Sequence, residues 1–246
     1  MKYSDIMSLV RPTVVQRSKF TYNGGATAYT VKVGAGCYYV KGKLAKWVSE
    51  LTTGAIGTPA ATTRYYLYLD YSAITSGTPI TATELIWSDT APTYSHTYGG
   101  LYNGDDLCIF GVFTGAGPAN ILEFFHDGGD YVLWANGFLE TSSLAPSTTW
   151  TDLDMASSMP AFATKALCNF RLTYIDASVT AYWRTNGQAG TAGHRIGTVV
   201  VDVANYESVS EIIITDSAQI IEFKYDGATT NQIIVTVQGW FFPGGM

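Results

Sequence analysis

The stretch Asn231-Gln-Ile-Ile-Val-Thr-Val-Gln-Gly-Trp-Phe-Phe-Pro243 decides the fold class. In an extended chain Ile233, Val235 and Val237 fall on one face, and Ile234, Thr236 and Gln238 on the other. Alternation with a period of two, closed by Gly-Trp-Phe-Phe-Pro, reads as a terminal strand that finishes a β-sandwich.

Working back from that strand, short extended segments recur throughout. Ala28–Val33 alternates, with Tyr29, Val31 and Val33 on one face, and Arg64–Tyr71 places Tyr65, Leu67, Leu69 and Tyr71 together. Further strands are expected at Leu107–Thr114, Asn120–His126, Asp130–Trp134, Lys165–Ile175, Val179–Arg184, Thr198–Val203, Ser210–Asp216 and Gln219–Tyr225. Turn dipeptides punctuate them: Asn23-Gly24, Asn103-Gly104, Asp127-Gly128-Gly129, Asn186-Gly187 and Asp226-Gly227. In Lys43–Leu51 the spacing of Leu44, Trp47, Val48 and Leu51 fits a short helix instead. The expected fold is all-β: two antiparallel β-sandwich, jelly-roll-like modules in tandem. Residues 1–18 read as an N-terminal arm and 19–137 as the first sandwich. The Ser/Thr/Pro-rich 138–148 reads as a linker and 149–246 as the second sandwich.

Composition narrows the function. Apolar residues make up 47% of the 246 and charged residues only 14%, with 17 tyrosines and 25 glycines filling the gap. Few charges and many β-branched and aromatic residues favour strands and fit a surface partly covered by neighbours. The net charge of −6 argues against nucleic acid, whose backbone demands clustered Lys and Arg. Lys41, Lys43 and Lys46 are the densest basic run and are interleaved with apolar residues. Cys37, Cys108 and Cys168 are too scattered for a disulfide framework and each sits in an apolar run, as small buried hydrophobes do in a reducing cytosol. The first ten residues carry no signal-peptide pattern, and no run of apolar residues is long enough for a membrane span.

No catalytic signature appears. His96, His126 and His194 lie in no nucleophile or metal motif. His126-Asp-Gly-Gly-Asp130 is the nearest approach to a metal-ligand cluster, and a polar hairpin loop explains it more simply. Asp152 and Asp154 share one face of an extended chain, as a glycosidase pair would, or as a solvent-facing edge would. The carboxylates of Asn103-Gly-Asp-Asp106 suit calcium or, more simply, a turn. No enzyme activity, metal or cofactor is expected. The aromatic stretch Tyr94, His96, Tyr98 and Tyr102 is the first candidate surface for a receptor, a sugar or a subunit interface.

Tyr29-Thr-Val-Lys-Val-Gly-Ala-Gly-Cys-Tyr-Tyr-Val40, Arg64–Leu69 and Leu85-Ile-Trp-Ser-Asp-Thr-Ala-Pro92 follow one another as strand, turn, strand and Ser-x-x-x-Pro loop. Together with Ala166–Tyr174, Ala181–Arg184, Ala218–Lys224 and the Gly-Trp ending, this order resembles the β-modules of bacteriophage tail fibres and other virion appendages. The resemblance implies a structural virion protein, made in the host cytoplasm and typically homotrimeric. It would be anchored to other virion proteins at one end, with host surface glycan as a possible ligand. A tail-associated fibre or spike is favoured; a decoration or head-fibre protein on the major capsid shell and a glycan-binding module are the alternatives. No fibrous shaft or heptad repeat is present. The apolar residues Ile6, Met7, Leu9 and Val10 of the arm are the candidates for virion attachment.

Overall fold

The computed structural model describes residues 14–24, 29–115, 121–141, 144, 147–173, 179–190, 193–197, 206–227 and 232–243. The arm residues Ile6, Met7, Leu9 and Val10 and the expected strand Thr198–Val203 lie outside them. The described chain is all-β, and its one helical element is a single 3-10 turn, Ala82–Glu84. It divides into two compact units. Unit 1 holds the described residues up to Ala135 together with Phe242 and Pro243; unit 2 spans Asn136–Phe241.

Unit 1 begins with β1 (Val14–Gln16), β2 (Phe20–Tyr22), β3 (Val31–Val33), β4 (Gly36–Val40), β5 (Lys43–Trp47) and β6 (Leu51–Thr52). They form two three-stranded sheets, β1-β4-β5 and β2-β3-β6. Within Lys43–Leu51, whose spacing suits a helix, Lys43–Trp47 is instead strand β5 and Leu51 opens β6. The reason is the turn before β5: Lys41 and Gly42 both take positive φ, 47° and 89°, as a tight two-residue hairpin requires. That hairpin pairs Leu44 with Tyr39 and Trp47 with Gly36. Trp47 then stacks on Tyr38 at 5.6 Å.

Next come β7 (Arg64–Leu69), β8 (Leu85–Ser88), β9 (Thr93–Ser95), β10 (Gly100–Asn103) and β11 (Asp106–Phe113), in the antiparallel order β8-β7-β11-β10-β9. The alternation groups Tyr65, Leu67, Leu69 and Tyr71 on one face; Leu67 and Leu69 are buried and Tyr65 and Tyr71 half-buried, but Tyr66 and Tyr68 on the other face are buried too. A strand covered on both faces has no polar alternation to read. β12 (Phe124–His126) pairs with the first half of β13 (Tyr131–Thr141). Phe20 of β2 stacks on Phe110 of β11 at 4.1 Å, which joins two sheets of this unit. Burying each such ring contributes about 1.5–3 kcal/mol, with the ring pair adding about 1 kcal/mol.

β13 runs through Ala135 and Asn136, so the boundary between units falls inside a strand, and residues 138–141, expected as linker, are its end. In unit 2 it is followed by β14 (Thr151–Asp154), β15 (Lys165–Thr173), β16 (Thr180–Thr185), β17 (His194–Gly197), β18 (Tyr206–Ile214), β19 (Ile220–Tyr225) and β20 (Gln232–Phe241). One sheet runs β13-β20-β15-β18 and the other β14-β19-β16-β17. Counting the eight strands of the unit from β13, the orders are 1-8-3-6 and 2-7-4-5, the topology of a jelly roll. Phe170 of one sheet stacks on Trp183 of the other at 4.1 Å.

In β20 the residues Ile233, Val235 and Val237 are buried, the face read from the alternation. The ladder then slips: Cys168 pairs with Val237 but Leu167 pairs with Gly239, leaving Gln238 as a bulge. The extra residue turns Trp240 onto the buried face, where it packs edge-on against Phe162.

Candidate binding surface

The aromatic stretch expected to carry function forms a hairpin at one edge of the five-stranded sheet of unit 1. β9 and β10 pair Tyr94 with Leu101 and Thr93 with Tyr102. The loop between them closes through Gly99 N–H to Ser95 O at 2.8 Å, and Gly99 takes φ of 70°. Tyr94 is 50% exposed and Tyr98 45%, whereas Tyr102 is buried. The four candidates therefore split. The Tyr94 ring meets the His96 ring edge-on at 5.0 Å, and Tyr98 lies 5.8 Å from Tyr102.

Lys41, from the β4–β5 turn, completes the second pair. Its ammonium sits 4.9 Å from the Tyr98 ring centre and 5.5 Å from that of Tyr102. It donates to Gly104 O at 3.0 Å and forms an ion pair with Asp105. The hydrogen bond with Asp105 raises the Lys41 pKa. The result is an exposed tyrosine backed by a cation and a carboxylate, able to stack a flat ligand and to bond its polar rim. Sequence reasoning missed Lys41 because it is far from Tyr98 along the chain, and no local pattern links a hairpin turn to a distant aromatic loop.

The other sequence candidates are drawn into structural bonds. His126 is buried; its Nδ1 accepts the Phe20 N–H at 3.0 Å, so its Nε2–H donates to Gly129 O, also at 3.0 Å. Both ring nitrogens are committed, which leaves none for a metal or a substrate. Asp130 pairs with Arg17 at 2.6 Å, and the Arg17 guanidinium lies 4.3 Å over Phe242. Asp106 accepts the Tyr71 N–H at 2.9 Å. Among the described residues no three His, Cys, Asp or Glu side chains gather as a metal site requires. Asp152 and Asp154 are both exposed on β14, opposite Glu222 and Ile220, and Asp154 accepts the Ala156 N–H at 2.7 Å as a turn. All three cysteines are free; Cys108 and Cys168 are buried and burial pushes their thiol pKa values up, while Cys37 is half-buried.

The chain matches no protein-family model and no curated protein. Site geometry and architecture therefore carry the functional reading.

The two outer faces of unit 2 differ in character. On β14, β19, β16 and β17 the outward positions hold Asp152, Glu222, Arg184, Lys224, Tyr182 and Arg195. Arg184 bonds Glu222 at 2.6 Å and lies 4.0 Å over the Trp150 ring. The outer face of the opposite sheet is mixed: Leu139 of β13 and Ile212 and Ile214 of β18 are 58%, 55% and 53% exposed and Leu167 stands opposite Ile212, but Lys165, Asn169 and Arg171 of β15 alternate onto the same face, opposite Ile214, Ser210 and Ser208. Among the described residues no helix is long and apolar enough to cross a membrane.

Proposed function

We propose that this protein is a non-enzymatic structural component of a bacteriophage virion, a tail-associated fibre or spike module that mediates attachment to the host. The observation that carries the reading is the jelly roll of unit 2, with one charged outer face and another on which Leu139, Ile212 and Ile214 stand more than half exposed. Jelly rolls recur in viral capsid and lectin domains, and this support is one of architecture. An exposed apolar patch is an aggregation liability unless a neighbour covers it. A closed homotrimer covers it by symmetry, so the Leu139, Ile212 and Ile214 face is the proposed subunit contact. The Tyr94–Tyr102 hairpin of unit 1 is the proposed surface offered to the host.

Immunogold labelling of the particle tests the proposal. Label at the tail in low copy number supports it. Label spread over the head at lattice spacing makes the chain a capsid decoration protein instead, and absence of label from every particle sinks the virion reading.

A further inference from the structure

A second surface of unit 1, at the opposite edge of the five-stranded sheet from the aromatic hairpin, carries a more complete set of binding groups. An open cleft of about 420 Å³ beside Phe125 and His126 is less promising, because its histidine is already bonded on both nitrogens. The cluster around Trp150 is less promising too, because Arg184 and Lys224 already lie against its ring. A third cleft, of about 590 Å³, runs along β8 between that strand and the loop 54–58.

The register of β7 and β8 places its key side chains. Leu67 pairs with Trp87 and Tyr66 with Ser88, so Tyr65 and Trp87 lie on one face at the end of this ladder, and Asp89, just past β8, completes the lining. Trp87 and Tyr65 are half-buried, and Asp89 is exposed. β8 is the sheet edge, so its outer side carries no further strand. The opposite wall is fixed by three bonds: Thr53 N–H to Val31 O at 3.0 Å, Ile56 N–H to Tyr29 O at 3.0 Å, and Trp87 Nε1–H to Gly54 O at 3.0 Å. The Tyr65 hydroxyl is held by the Ala60 N–H at 3.0 Å. Both rings are therefore positioned before any ligand arrives, which lowers the ordering cost of binding.

We infer that this cleft binds a neutral saccharide. Trp87 and Tyr65 offer flat apolar surface for the C–H faces of pyranose rings. Asp89, the only charged group of the lining, makes no ion pair among the described residues, and its carboxylate oxygens can accept hydrogen bonds from sugar hydroxyls. Thr58 and Ser88 add hydroxyls on either side. An acidic sugar is repelled by the lone carboxylate, with no cation in the lining to offset it. The cleft deepens the attachment reading, and rests on it only for where the sugar is met.

The experiment uses the whole chain on an array of neutral and charged oligosaccharides, followed by titration of the best-bound glycan by tryptophan fluorescence. Wild type should bind neutral glycans. Asp89→Ala should weaken the affinity about tenfold, as loss of hydrogen bonds to a charged acceptor does, with an unchanged melting temperature. Trp87→Phe should weaken it further and reduce the fluorescence response; because Trp87 also braces Gly54, the exposed Asp89 variant is the cleaner arm. Tyr98→Ala should leave this binding intact. Failure to bind any neutral glycan, preference for charged or quaternary ammonium ligands, or binding indifferent to both cleft variants would overturn the inference. A labelled virion with an inert cleft sinks this inference alone; a sugar-binding cleft on a protein absent from every particle sinks the virion reading alone.

Discussion

Ala166 stands directly opposite Trp240 across the β15–β20 ladder, and both are fully buried. The smallest side chain on the inner face of β15 faces the largest on that of β20, and Phe162 closes on the indole edge-on. Interiors are packed densely enough that one added branch at such a site must displace a neighbour. Ala166→Leu should therefore cost about 1–3 kcal/mol. The check is urea unfolding: a lower midpoint with an unchanged slope is expected, and an unchanged midpoint would show that the site yields.

The bulge at Gln238 gives a second test. Removing that residue restores strict alternation and carries Trp240 to the face opposite Val237. The Gln238 deletion should lose most of the unit's stability, with Trp emission shifted to the red even before unfolding. A deletion variant with native emission and native midpoint would mean that the bulge does not set the phase of β20.

His126 should make stability depend on pH. Burial holds its pKa below 6.5, since the neutral ring is what accepts the Phe20 N–H. Between the folded value and 6.5 the unfolded chain binds the extra proton, so stability rises with pH in that window. The contribution is fully present above about 6.5 and is lost as the pH falls toward the folded value. Melting curves from pH 7.5 to 5 should show this slope in the wild type and a shallower one in His126→Gln, at a lower overall stability. Equal slopes would remove His126 as the cause.

The exposed Leu139, Ile212 and Ile214 of unit 2 predict an assembly. Wild type should sediment as a trimer, and the pair Ile212→Asp with Ile214→Asp as a 26.6 kDa monomer. Because both side chains are more than half exposed, the change should leave the circular dichroism of the strands intact. A wild-type monomer at micromolar concentration counts against the trimer.

Tyr98→Ala should abolish host adsorption of particles while shifting stability by no more than about 0.5 kcal/mol, as exposed substitutions do. Lys41→Met removes the cation behind the ring and should weaken adsorption in part. Full adsorption by both variants would move the receptor contact off this hairpin.

Much of the architecture follows from local pattern. The alternation of Ile233, Val235 and Val237 places one face of β20 in the core because a strand with one covered face must keep its apolar residues in register. The all-β class and most strand positions follow in the same way. Local pattern is silent where the physics is not local. Leu44, Trp47 and Leu51 fit a helix by spacing, but the Lys41-Gly42 turn and pairing with β4 make Lys43–Trp47 a strand. Tyr66 and Tyr68 are buried because a second layer covers them, which no period of two can announce. The candidate surface divides in the same manner: aromatic excess marks Tyr94, Tyr98 and Tyr102, yet only folding buries Tyr102 and brings Lys41 to Tyr98. Trp87 and Tyr65 share a face through the register of β7 with β8, and Asp89 joins them in one cleft only in the folded unit. Sequence alone thus determined the all-β class and the core face of strands with one covered side; tertiary structure decided which other residues leave water and which of them meet, because contacts between distant segments depend on pairing and register that no single segment contains.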